Sequence, residues 1–277
     1  FVMDSILLNS IPQVPASALN FVFIALFDLL FLSLRIGAFL IAAPFFGSRM
    51  VPLNVRIILI FSLAIFLQGW IAAPDFTNVA ASVLILTILV EIALGLTAGF
   101  VFAIAFATVS VAGEKIAATS GLSFAMQVDP ATGTQSPIVS QFLTLFILMI
   151  FFATDAHLVV FSILLESYAF VPIGADIDFE RLYKVGFLTS EKLFTNAALI
   201  MLPIVGVLFL INLAVGIITR SAPQLNLFSF GFPITILSVM FLLFLAVSPL
   251  AQMFLEVIEN HILILSDLFQ EVTRGGK

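Results

Sequence analysis

The sequence predicts an all-α integral membrane protein, and three observations carry that prediction. Of 277 residues, 62% are hydrophobic and only 9% are charged, against roughly 25% charged in an ordinary soluble domain. The mean hydropathy of +1.27 leaves too little charge to solvate the surface, so lipid or apolar protein has to cover it. Finally, apolar runs long enough to cross a bilayer as helix, about 20 residues for some 30 Å of hydrocarbon, recur between short polar punctuations.

Six such segments lie at 19–43, 55–74, 78–111, 137–165, 193–219 and 226–250. Arg49 and Arg56 flank the first connection, Asp75 the second, Glu114 and Lys115 the third, and Arg220 the fifth. If all six cross, the Lys/Arg content makes the odd loops cytoplasmic and both termini external. The start of the chain carries no basic stretch of a cleavable signal, so the first helices are expected to direct insertion. Pro203 and Pro249 interrupt late segments, which predicts broken helices whose breaks are buried against protein.

The third segment, about 35 residues, would reach about 50 Å as helix and overshoot a bilayer. Within it Gly95 and Gly99 stand at GxxxG spacing, continued by Ala103 and Ala107, a small-residue face that lets two backbones approach closely. That face fits a subunit contact and packing inside the chain equally well. Asp28, Arg35, Glu91, Asp155 and Glu166 sit within or beside apolar runs. Embedded charges of this kind need polar partners or water. Arg35, Glu91 and Glu114 are the candidates for buried charge, with Glu91 expected to pair with Arg35 or an amide, or less readily to relay protons.

From Gly113 to Pro137 the chain reads as a loop, with two glycines and two prolines between Gly121 and Pro137. Phe124, Met126 and Val128 alternate there as apolar side chains, where a solvated loop would be polar. Either they staple the loop to neighbouring helices, or the loop projects into a pore and seals it, a task suited to deformable Met. The charged stretch 176–192 reads as a solvated connection with a short helix capped by Asp178. The stretch 220–233 reads as a helical hairpin turn. The tail from Gln252 to Glu271 alternates Phe254, Val257, Ile258, Leu265, Leu268 and Phe269 with Gln252, Glu256, Glu259, Asn260, Asp267, Gln270 and Glu271. That spacing predicts a C-terminal amphipathic helix whose acidic face suits a partner or an aqueous vestibule better than anionic lipid.

Several function classes are disfavoured. A net charge of −6 lacks the basic stripe that nucleic acid demands, so no nucleic-acid partner is expected. With no cysteine and two histidines, no metal or other cofactor is expected. Asp155 and His157 are two apart and face different sides of a helix, which argues against a catalytic dyad. His261, among Ile and Leu, reads as structural.

Arg35-Ile36-Gly37, Ala43-Pro44-Phe45-Phe46-Gly47, Pro52, Arg56, Gly113-Glu114, Gly121-Leu122-Ser123-Phe124-Ala125 and Val128-Asp129-Pro130 occur in that order. They are followed by Pro172-Ile173-Gly174, Ala222-Pro223-Gln224-Leu225-Asn226 and Gly231-Phe232-Pro233. Together these motifs, over nearly the whole chain, resemble the FliR family of flagellar biosynthesis proteins. A related subunit serves virulence-associated type III secretion, but the last two motifs look more like the flagellar branch.

The resemblance implies helical hairpins packed into a hetero-oligomeric export gate in the bacterial inner membrane, at the flagellar basal body. FliP and FliQ subunits are the implied partners, with FlhB at the cytoplasmic side and unfolded flagellar proteins as cargo. It also implies a FliP-like part over 1–190 and a FliQ-like hairpin over 191–277. The family's pore plug maps onto Gly121 to Pro130, with Leu122, Phe124, Met126 and Val128 as its apolar side chains; Met126-Gln127 replaces an aromatic found in some relatives. Two other readings of the residues are a secondary transporter, suggested by Pro-interrupted helices and embedded carboxylates, and a purely architectural scaffold.

Overall fold

The computed structural model of the chain describes residues 16–47, 51–71, 79–122, 138–222 and 230–273. Among these, seven α-helices follow in order: α1 (Ala16–Ala42), α2 (Leu53–Gln68), α3 (Ala81–Thr119), α4 (Ile138–Ala153), α5 (Ala156–Phe170), α6 (Phe179–Ser221) and α7 (Phe232–Glu271). Four of them, α1, α3, α6 and α7, are long and apolar enough to cross a membrane, and α4 with α5 makes a fifth candidate bent by 68°. The expected second span is shorter than predicted. Helix α2 has 16 residues, about 24 Å, and ends at Gly69, whose N–H closes the last turn on Leu67 and Phe66 carbonyls.

Helix α3 lies at the centre, packing against α1, α4, α6 and α7. It runs six residues past Gly113, the expected start of the loop, because Gly113 fits a close crossing of α4. A Cβ there would lie 2.5 Å from Ser140 Cα. Beside it Ser140 Oγ donates to Ser110 O at 3.0 Å. The bend between α4 and α5 is made at Asp155, exposed and with φ of 55°, an unusual backbone for a non-glycine residue that Asp adopts more readily than most. An aromatic cluster supports the bend, with Phe45 5.2 Å from Phe151 and 5.5 Å from Phe152 between ring centres. The His157 ring lies 4.9 Å from that of Phe152, tilted by 54°.

The charged stretch 176–192 corrects the sequence reading. Asp178 does cap, its Oδ1 accepting from Glu180 N–H at 3.0 Å, but the helix it opens is continuous with the fifth apolar segment over 43 residues. Helix α7 likewise passes through Pro249 and joins the sixth segment to the amphipathic tail in 40 residues. A proline removes one backbone bond, whereas ending a helix in an apolar setting would expose several, so the helices continue. The tail's periodicity is visible in its burial: Phe254, Val257, Ile258, Leu265, Leu268 and Phe269 are buried, and the polar set from Gln252 to Glu271 is exposed. The start of α6 is tied to the end of α7. Asp178 N–H donates to Val272 O at 2.9 Å, Arg181 Nη1 to Glu271 O at 2.5 Å, and Ile177 bridges Thr273.

Candidate functional site: a buried ion pair and the carboxyl end of α3

Arg35 on α1 and Glu91 on α3 meet in the interior with no exposed side-chain surface on either. Arg35 Nε donates to Glu91 Oε2 at 2.8 Å and Nη2 to Oε1 at 2.9 Å. This is the bidentate fork that makes Arg–carboxylate pairs strong. Two of the three remaining guanidinium hydrogens reach α5 and its end: Nη1 donates to Ser167 Oγ at 2.9 Å and Nη2 to Val171 O at 2.9 Å. The Tyr168 ring lies 4.1 Å beneath the guanidinium carbon, a cation–π position, and its hydroxyl donates to Leu32 O at 2.7 Å. A desolvated ion pair is tolerated when further hydrogen bonds support it, and here four from Arg35 join α1, α3 and α5 at one point.

The glycine face makes this possible. A Cβ on Gly95 would collide with the Arg35 carbonyl and come within 2.8 Å of Ala38 Cβ; one on Gly99 would come within 2.5 Å of Ala42 Cβ and 2.8 Å of Phe39 O. The glycines therefore set the close approach of α3 to α1 inside this chain. Ala103 and Ala107, further along, remain half-buried. Glu114 is a correction: it is exposed rather than buried, because the neighbouring Gly113, Ile116 and Ala117 occupy the face turned to the core. His261 is fully buried, its Nδ1 2.6 Å from the Val257 carbonyl of its own helix.

The carboxyl end of α3 is the second focus. The last carbonyls of a helix have no partner within it. Two of these find donors on the last two helices: Asn212 Nδ2 of α6 donates to Thr119 O at 2.9 Å, and Thr235 Oγ1 of α7 lies 3.0 Å from Ser120 O. Gly121 follows with φ of +79°, and a Cβ there would fall 2.7 Å from the Phe232 ring at the start of α7. Leu122 is partly buried against the core. Phe124, Met126 and Val128, the other plug candidates, lie outside the described residues, as do Arg49, Asp75 and the turn over 223–229.

Ser167, Tyr168, Asn212 and Thr235 were not singled out from the sequence. One signal was available for Tyr168: the chain has 32 Phe and only 2 Tyr, so a hydroxyl retained inside an apolar helix calls for a partner. Asn212 offers a similar signal, an amide within the long apolar run of α6.

Sequence comparison finds relatives over most of the chain. The flagellar biosynthetic protein FliR of Escherichia coli K12 is 34% identical over 247 residues, covering 86% of this chain and 91% of that protein. FliR of Bacillus subtilis 168 is 33% identical over 210 residues, 73% of this chain and 79% of that protein. FliR of Aquifex aeolicus is 29% identical over 212 residues, 76% and 81% respectively. The model of the family described as bacterial export proteins, family 1, matches residues 26–261, a stretch that holds the Arg35–Glu91 pair, all of α3 and the residues that hold its end; the chain belongs to that family.

Proposed function

We propose that this chain is a core subunit of the flagellar type III protein export gate in the bacterial inner membrane, at the flagellar basal body. With FliP and FliQ subunits it forms a closed conduit for unfolded flagellar proteins, and FlhB binds at the cytoplasmic side. The observation that carries this reading is the unpartnered surface of α6 and α7. Their 43 and 40 residues reach about 60 Å, twice the hydrocarbon thickness, yet only 22% of the most apolar window of each is buried within the chain. Along α6 exposed large apolar side chains recur from Phe179 to Ile218, about 60 Å of helix and more than one hydrocarbon layer covers, which favours sister subunits as the remaining cover. Relatives bearing the name flagellar biosynthetic protein match along most of their own length, which favours the export apparatus over a small-solute transporter.

In this reading residues 1–190 form a FliP-like part and 191–277 a FliQ-like hairpin, with the join inside α6. The connection after α3 carries the seal, with Phe124 and Met126 as its principal side chains and Leu122 and Val128 beside them. The experiment replaces Phe124 and Met126 together with alanine in the assembled gate. Ion conductance across the resting membrane should rise while assembly is retained; a tight membrane with normal assembly would refute the plug. A pull-down of the tagged wild-type chain should bring FliP, FliQ and FlhB, and a chain recovered alone as a heat-resistant monomer would remove the gate reading altogether.

A further inference from the structure

The carboxyl end of α3 is held from outside its own helix by three contacts that all come from α6 and α7. Thr119 O receives the Asn212 amide, Ser120 O faces the Thr235 hydroxyl, and Gly121 lies against the Phe232 ring. Ser120 and Thr235 are buried, whereas Thr119 and Asn212 are half-buried. Elsewhere α3 contacts α1 and α4 through glycine and serine positions where backbones nearly touch, and the two partners of Ser140 Oγ, Ser110 O and Ser110 Oγ, both lie on α3.

Thr235 differs in one respect. Its Oγ1 is 3.0 Å from Ser120 O and equally 3.0 Å from Phe232 O, the carbonyl of its own first turn. A hydroxyl has one proton to give, so it can bond across to α3 or back along α7 without being left unsatisfied in either case. A buried donor that loses its only acceptor suffers a full desolvation penalty, and here that penalty is absent for the donor. The Thr235 hydroxyl can therefore leave Ser120 O without being orphaned, and beside it Asn212 Nδ2 donates to Thr119 O at 2.9 Å.

We propose that Asn212 and Thr235 form a releasable latch through which the C-terminal hairpin sets the position of the end of α3, and so the resting seal of the conduit. They are positioning residues, acting on cargo only through α3. The latch rests on the reading of the chain as an export-gate subunit. It adds that movement of α6 against α7 is the input and displacement of residues 119–121 the output.

The test uses the assembled gate, expressed with its partner subunits, carrying Thr235→Val, which keeps size and shape and removes the hydroxyl, or Asn212→Leu, which does the same for the amide. Two measurements are made on each: resting ion conductance and amide hydrogen exchange over residues 116–122. Each variant should raise both by about fivefold, the effect of one hydrogen bond on a two-state balance, and Thr235→Ser should behave as wild type. Unchanged conductance in assembled Thr235→Val and Asn212→Leu gates overturns the latch. Raised conductance with unchanged exchange over 116–122 also overturns it, because the leak then does not run through the end of α3. The Phe124→Ala, Met126→Ala gate measured alongside separates the two ideas. A leak there with tight latch variants keeps the plug and removes the latch, whereas leaky latch variants beside a tight plug variant do the reverse.

Discussion

Helices α1 and α3 on one side and α6 and α7 on the other all qualify as spans, yet they dispose of their apolar surface differently. In the most apolar windows of α1 and α3, 44% and 39% of residues are buried within the chain, against 22% in each of α6 and α7. Glycines show the same contrast. At Gly95, Gly99 and Gly113 an added Cβ would strike a neighbouring backbone or side chain, whereas at Gly186, Gly206 and Gly216 it would meet nothing within 4 Å. The N-terminal helices are a finished core locked by an ion pair. The C-terminal hairpin packs one face on the core, with Ile200, Leu208, Phe254 and Leu265 buried there, and leaves most of the apolar surface of its long windows exposed. Apolarity alone does not say whether a helix is packed; close approach and answered polar groups do.

Five changes would break or sharpen that contrast. The largest effect is expected from Glu91→Ala, which strands Arg35 in the interior at a cost of roughly 3–5 kcal/mol. The chain should fail to accumulate in membranes, measured by immunoblot, while Arg35→Met with Glu91→Leu should restore much of the level. Recovery of the single variant to wild-type amounts would mean the pair does not hold the core. Next, Gly95→Leu wedges α1 from α3 and should lower stability by roughly 1–3 kcal/mol, seen as a reduced midpoint of thermal unfolding in detergent. Gly186→Ala on the open hairpin should leave the midpoint unchanged or raise it, since alanine favours helix by up to about 1 kcal/mol over glycine.

A smaller effect is expected from Tyr168→Phe, which deletes the hydrogen bond to Leu32 O and keeps the ring under Arg35; about 1 kcal/mol should be lost in the same unfolding measurement. Smallest for the chain itself is Phe244→Ala. This ring is 74% exposed, so stability should stay within about 0.5 kcal/mol, but co-purification of sister subunits should fall. If Phe244→Ala unfolded the chain instead, the hairpin would not be an open surface.

Much of the fold is legible along the chain because hydrophobic length and helical periodicity are local properties. The apolar face from Phe254 to Phe269 and the Asp178 cap could be read directly. Glu91 could be matched to Arg35 as one of few embedded charges of opposite sign. Helix ends were less legible: Gly113 and Pro249 are local stop signals, overridden because a close crossing at Ser140 and the cost of exposed backbone in an apolar setting favour continuation. The latch residues were not legible at all, since nothing near Asn212 or Thr235 in sequence announces an unfilled carbonyl at Thr119 or Ser120.

By itself the amino-acid order determined that this is a helical membrane protein, where its long apolar segments run, and that Arg35 and Glu91 are charges set in apolar runs, because each follows from the cost of placing side chains in water or oil one segment at a time. Only the tertiary structure decided which charge meets which, that the glycine face of α3 is spent on α1, and that the last two helices hold the end of the third. Those outcomes depend on backbones approaching within a few ångströms across distant parts of the chain, and such distances are set by packing.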